Sequence, residues 1–417
     1  MWRLLVNRWL GWVLVAGLGA LIVLTTLQYR AIEAATRGGH GDQASMLIGG
    51  KHVAHTRILN DYEDFYVVGQ MYGEGRILTA YDNDALLAAQ QRLAGAQTFM
   101  PWAYPPQMTA LVPLLPVVGL AWSYLLFTGG TLALLVLVLR AYGPQYTGAG
   151  LLAVYPALVL NARLGQNGFL TGALIGLFLL AWRGRRDVAG LPLGLMVVKP
   201  HMGVVIGLMA LLKTRWRVLG LAMAVVLASG VLATAMLGVA VWPAFLKGAA
   251  QAGVFLKQGA FPLYRMSSIY AALRSFGASP DVAMVGHGLG ALVAVALVVR
   301  AHLAGWALNR QMALGAVAAL FVSPYNYDYD FACLTFALAL ILPELMPRMR
   351  AGELVAFYAL CWIGSGAGMW QHFRAVLLWH TTQHPHGSSL NWSFQALGVL
   401  AAAGLAAWVL RRPVSET

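Results

Sequence analysis

The chain has 417 residues, of which 59% are hydrophobic and only 10% charged, and its mean hydropathy is +0.68; a soluble domain carries about 25% charged residues, so these proportions exclude a soluble enzyme. A formal charge of +13 would point to nucleic acid in a soluble protein, but here Arg and Lys stand in short clusters between apolar runs, so the charge reports membrane topology and no nucleic-acid partner is expected. Only helices and closed barrels satisfy their backbone in hydrocarbon, and the runs are too long and unbroken for barrel strands, so the predicted fold is an all-α polytopic integral membrane bundle of about 11–12 spans with one large outer loop, a single domain over residues 1–417.

Arg3 and Arg8 precede an apolar run over 9–27, which reads as a retained first span with the N-terminus in the cytoplasm. The one long polar stretch, 28–102, holds Glu33, Asp42, Asp61, Glu63, Asp64, Glu74, Asp82 and Asp84 and is predicted to be the extracytoplasmic loop. Within it, 64–75 and 83–94 have helical periodicity and are expected to lie along the membrane surface. The apolar segment 104–118 is interrupted by Pro105, Pro106, Pro113 and Pro116, which suits a re-entrant or interfacial helix on the outer side.

Core spans are predicted across 120–346, the first of them near 120–139, 146–160 and 168–182, with Arg140, Arg183, Arg185 and Arg186 inside. The run 188–212 begins and ends beside basic loops, so a single crossing would put one cluster outside; the expectation is a short helical pair broken at Lys199, Pro200 and His201. Further spans are expected near 218–241, 282–299, 312–321 and 331–345. In the C-terminal part, 351–417, they lie near 354–369 and 394–410, around an outer loop at 371–392 that carries His372, His380, His384 and His386. This assignment puts both termini in the cytoplasm. Cys333 and Cys361 fall inside apolar segments and read as small core residues.

With that topology five polar elements gather at the outer ends of the helices: Asp61, Glu63 and Asp64; Arg163, Gln166 and Asn167; Lys199 and His201; Lys257 and Arg265; Asp328 and Asp330. A carboxylate can take a proton from a hydroxyl nucleophile, while Lys, Arg and His offset phosphate charge, so the mixture suits transfer chemistry on a phosphate-bearing lipid. Each element also has a plainer reading. Asp64 can cap a helix, Lys199 can sit in a structural ion pair, Asp328 or Asp330 can balance Arg163, and the late histidines, His380 among them, can be solvated, face an acceptor or hold a metal. A transporter or lipid flippase would also bury charges in a bundle, but it usually shows paired inverted repeats, and only one interrupted segment stands out.

The ordered motifs DFYVVGQ…YD from Asp64, YPPQMTALVPL from Tyr104, LGQNGFL from Leu164, AGLPLGLMVVKP from Ala189, RWR at Arg215 and SPYNYDYD from Ser323 together resemble glycosyltransferase family 87. The resemblance implies the C-type membrane glycosyltransferase fold and a polyprenyl-phosphate sugar donor, notably of mannose, with inversion at the sugar. It implies Asp64 as catalytic base and Lys199 near the donor phosphate; Arg163, His201 and Arg265 are, by their residue types, the further cationic or polar groups expected at that phosphate. Glu63, Gln166, Asn167, Asp328, Asp330 and His380 become supporting or acceptor-side residues. The implied partners are the polyprenyl-phosphate sugar, membrane lipid and a glycolipid, glycan or protein acceptor, and the implied location is a bacterial inner membrane with the site facing outward. No cofactor is required by the residues, and a divalent cation is left open. His201 after Lys-Pro and the histidine-rich loop depart from some family members, which leaves the acceptor and the exact sugar open.

Overall fold

The computed structural model describes residues 5, 7–37, 45–48, 51–54, 59–94, 99–382 and 392–413. They form an all-α membrane bundle, apart from one antiparallel hairpin in which Ser45–Ile48 pairs with Lys51–Ala54. Among the described residues five helices are long and apolar enough to cross a bilayer: Trp9–Ala34, Leu120–Arg140, Trp216–Leu237, Pro280–Leu303 and Asp328–Arg348. The number rises to six if a bent pair counts as one span, and the other apolar helices are shorter.

The count falls below the sequence expectation in part because two apolar runs are broken at a proline and others form helices under 18 residues. The run expected as one span near 146–160 is two helices, Pro144–Ala153 and Tyr155–Leu164, bent by 78° at Val154. Pro156 enters the first turn of the second helix, where its missing N–H costs nothing, but it cannot continue a helix arriving from before it. The run 188–212 breaks at Lys199, whose φ of −147° and ψ of 71° lie outside the helical region. Pro200 starts the helix Pro200–Leu212 and pushes the preceding residue out of the α conformation.

Burial sorts the spans. Asp328–Arg348 is 83% buried at its most apolar window and is central, whereas Pro280–Leu303 and Trp216–Leu237 are 17% and 22% buried and turn most of their apolar surface outward. In hydrocarbon such surface needs no protein partner. Cys333 and Cys361 are free and buried, as expected of core residues.

One end of the bundle is basic. Arg215 donates to Asp187 and to the Arg185 carbonyl, both at 2.9 Å, Arg310 reaches Glu344 at 2.8 Å, and Arg412 holds both oxygens of Glu353. Trp182, Lys213, His302 and Gln311 meet around a small recess, which brings the two arginine clusters to the same end. The helices Gly168–Arg183 and Pro200–Leu212 run from there to the opposite end, where Asn167 and Lys199 cap them.

At that opposite end lie the helices Asp61–Gly73 and Asn83–Ala94. The first does not lie on a surface as the periodicity suggested; Tyr62, Phe65, Val67, Val68 and Met71 are almost fully buried. Its N-terminus is fixed by a capping box in which the Asn60 N–H donates to Glu63 at 2.8 Å, and the Asn60 amide donates to Tyr29 of the first span at 3.0 Å. Asp61, Glu63 and Asp64 all occupy the first turn, where the helix dipole favours negative charge. Phe65 packs edge-on against Trp102 and Tyr104, and the Tyr81 hydroxyl meets the Tyr104 carbonyl at 2.9 Å and Thr109 at 2.7 Å. These contacts hold the proline-rich segment 104–118 against the polar end.

Candidate active site

The turn at Gly165–Gly168 determines how closely the central elements approach. Gly165 ends the helix Tyr155–Leu164 in the left-handed region, at φ 69°, and a Cβ at Gly168 would collide with the Tyr329 carbonyl. Side chains lock the turn as well. With its amide oriented to satisfy both atoms, Asn161 donates to the Gln166 carbonyl at 2.8 Å and accepts from the Phe169 N–H at 2.9 Å. Gln166 Oε1 accepts from the Asn167 N–H at 2.7 Å and from the Tyr104 hydroxyl at 3.0 Å. The short helical turn Asp328–Cys333 therefore packs directly on Gly168–Arg183, and its carboxylates reach the level of Lys199.

Beside this junction is a cavity of about 430 Å³. Its polar lining includes Asp61, Asp64, Gln166, Lys199, His201 and Arg265, and its other walls are largely aromatic or apolar, Phe99, Phe245, Phe255 and Phe261 among them. Residues more than two hundred positions apart in sequence thus share one chamber at one end of the bundle.

Each cation at the wall has a carboxylate behind or beside it. Lys199 Nζ meets Asp330 Oδ1 at 2.5 Å, with the Asp330 side chain fully enclosed, and lies 4.7 Å from the centre of the Tyr329 ring. The other Asp330 oxygen accepts from the Tyr327 N–H at 3.1 Å, so this carboxylate is held from two sides. Arg265 makes a two-pronged contact with Asp61 at 3.3 and 3.2 Å and approaches Asp328 at 3.6 Å, beside the stacked rings of Tyr327 and Tyr329. Burial alone would lower the Arg265 pKa, but Asp61 and Asp328 outweigh it and hold the guanidinium well above its ordinary value.

Asp64 differs from Asp61, Asp328 and Asp330 because its side-chain hydrogen-bond partner is uncharged. Gln90 donates to Asp64 Oδ1 at 2.7 Å and to the Met100 carbonyl at 2.7 Å, while its own oxygen accepts from the Met100 N–H at 3.2 Å. Burial pushes the Asp64 carboxyl up to about 7, the Gln90 hydrogen bond opposing the rise and Asp61 adding to it. A carboxyl titrating near neutrality on a cavity wall is suited to accept a proton.

The remaining candidates lie elsewhere or act differently. Glu63 is fully buried in the capping box and does not line the cavity. Asp328 and Asp330 stand behind the wall as partners of its cations. Asn167 is buried next to the turn, and neither polar atom of its side-chain amide has a hydrogen-bond partner among the described residues. Arg163 does not line the cavity either; it lies in the last turn of the helix Tyr155–Leu164, with Tyr29 and Tyr124 among its electrostatic neighbours. His201 does line it. The helix Ala351–Thr382 includes position 380, but the His380 side chain lies outside the described residues, as do His384 and His386. Among the described residues no group of three or more His, Cys, Asp or Glu is arranged to hold a metal ion. Gln90, the hydrogen-bond partner of Asp64, is a neighbour the sequence did not single out. It is fully buried and sits four residues after Leu86, so its helical spacing from an apolar residue was the available signal.

A multi-pass bundle with a cavity that joins carboxylates, cations and aromatic walls at one end defines a membrane-embedded enzyme of group transfer. The chain belongs to glycosyltransferase family 87, which it matches over residues 102–324, and it is a membrane glycosyltransferase. The matched stretch includes Tyr104, Gln166, Lys199, His201 and Arg265 and stops short of Asp64 on one side and of Asp328 and Asp330 on the other. No curated protein and no solved structure matches the chain.

Proposed function

We propose that the protein transfers a hexosyl group, with mannose as the first choice, from a polyprenyl-phosphate donor to a hydroxyl of a glycolipid or glycan, at the extracytoplasmic face of a bacterial inner membrane and with inversion. The observation that carries this reading is that Asp64, Lys199 and Arg265 line one largely aromatic and apolar chamber at the end of a membrane bundle opposite its basic end. The basic end then faces the cytoplasm, in keeping with the bias of Lys and Arg to that side.

In this mechanism Asp64 takes the proton of the acceptor hydroxyl as that oxygen attacks C1 of the sugar. The bond from C1 to the phosphate oxygen breaks, and its electron pair leaves with the polyprenyl phosphate. Lys199 and Arg265 offset the charge that develops on the departing phosphate, and His201 adds a polar contact beside Lys199. A phosphate leaving group is already acidic, so a second carboxyl acting as acid is not required. Gln166, fixed by Tyr104, offers its amide nitrogen to the sugar or phosphate.

The test is sugar transfer in nanodiscs, with polyprenyl-phosphate mannose and nucleotide-linked mannose supplied separately. Transfer from the lipid donor alone, with release of polyprenyl phosphate, is expected. Transfer from the nucleotide sugar alone, or movement of the lipid donor across the bilayer without transfer, would overturn the proposal.

A further inference from the structure

A second cavity, of about 350 Å³, lies between the helices Leu308–Ala319, Leu334–Leu345, Ala351–Thr382 and Gln395–Val409, away from the polar chamber. Its walls are almost wholly apolar. At one extreme it reaches Phe331, Ser365 and Val399; at the other it ends on Trp306, Arg310 and Arg411, at the basic end of the bundle. The mechanism uses none of these side chains.

Three features together select an occupant. The first is length. From Val399 to Leu410 the wall follows the last helix and its C-cap over a rise of eleven residues, about 16 Å at 1.5 Å per residue, close to one leaflet of a hydrocarbon core about 30 Å thick. The second is charge. Arg310 is neutralised by Glu344 at 2.8 Å, but Arg411 is exposed and has no ion pair among the described residues. The third is the half-exposed Trp306, an amphipathic ring at the level where headgroups lie. The concavity itself comes from small residues, since Ala402, Ala403, Ala406 and Ala407 all face it.

We propose that this groove binds an anionic phospholipid of the leaflet at the basic end, with one acyl chain between the four helices and the phosphate at Arg411. The chain end then lies against Phe331, the residue that follows Asp330, so the lipid braces the back of the turn that carries the partner of Lys199. The site is separate from donor binding, and the inference does not depend on which sugar is transferred.

Native mass spectrometry of the full chain, titrated with phosphatidylglycerol, phosphatidylcholine and inorganic phosphate, tests it. The wild-type protein is expected to retain one phosphatidylglycerol in preference to phosphatidylcholine and to bind no free phosphate. Arg411→Gln should weaken phosphatidylglycerol by about fivefold, the worth of one surface Arg at an anionic membrane, and leave phosphatidylcholine unchanged. Ala403→Phe, which fills the groove, should weaken both lipids by roughly tenfold through lost chain burial. Equal binding of the two lipids by the wild type, or unchanged phosphatidylglycerol affinity in Arg411→Gln, would overturn the proposal. Arg411 lies on an exposed turn beyond the last helix, so that arm does not depend on a core substitution folding.

Discussion

Asp64 makes two opposite predictions for one substitution. Its carboxyl is pushed up to about 7 by burial, against an ordinary value of about 3.9 in an unfolded chain. As a base it must be ionised, so kcat/KM for transfer should be level above about pH 7 and fall about tenfold per pH unit below it. Asp64→Asn keeps the shape and can still meet Gln90 after an amide flip, yet it cannot accept the proton. Transfer should drop by roughly 100-fold or more, and the acid limb should vanish from the residual rate. Stability should move the other way. A carboxyl whose folded pKa is raised stabilises the fold below its unfolded value, and that contribution is lost as pH rises through about 4 to 7. The gap between the two values corresponds to something on the order of 4 kcal/mol, a ceiling for a buried group. Asp64→Asn should therefore melt higher than wild type at pH 8 and close to it at pH 4.5. Single-turnover transfer from a polyprenyl-phosphate sugar between pH 5 and 9, with thermal unfolding of the same nanodisc samples, measures both. A wild-type acid limb near pH 4, or near-normal transfer by Asp64→Asn beside a damaged Asp61→Asn, would refute the assignment of the base.

Two further outcomes follow from the pairing of charges and from the topology. Lys199→Met should abolish donor use and also destabilise the protein by roughly 3 kcal/mol, because it strands the enclosed Asp330 carboxylate; Lys199→Met combined with Asp330→Asn should recover the melting temperature but not the donor affinity, and recovery of both would make the pair purely structural. Single cysteines at Gly184 and Asn83, in a background lacking Cys333 and Cys361, should react with an impermeant thiol reagent from opposite sides of the membrane, and labelling from one side would reverse the proposed orientation.

Much of the local order at the polar end is legible in the sequence, because it depends on near neighbours. The break at Lys199 follows from Pro200, and the helix Asn83–Ala94 occupies the stretch with helical period. The glycine turn at 165–168 is marked by its residue types. Pairing across the chain is a different matter. Arg265 and Asp61 stand 204 residues apart, and no periodicity or cap specifies that they meet. Hydropathy likewise treats Asp61–Gly73 as a surface segment, since its mixed composition does not reveal that Tyr62, Phe65 and Met71 pack inward around a buried first turn.

These pairings change what the chamber can do. The sequence presents Lys199 and Arg265 as cations awaiting a phosphate, whereas in the fold each is already matched, by Asp330 and by Asp61 with Asp328. Burying an unmatched cation would cost several kcal/mol, and the paired carboxylates offset that cost. In the proposed mechanism a donor phosphate would have to share those cations with fixed acids. The sharing would weaken ground-state binding while leaving the cations available to the oxygen that gains charge as the bond to C1 breaks. Interactions that strengthen only as charge develops are those that lower a barrier. Asp64, hydrogen-bonded to Gln90 and with no ion pair among the described residues, is free of this sharing, whereas Asp61, Asp328 and Asp330 each hold a cation in place.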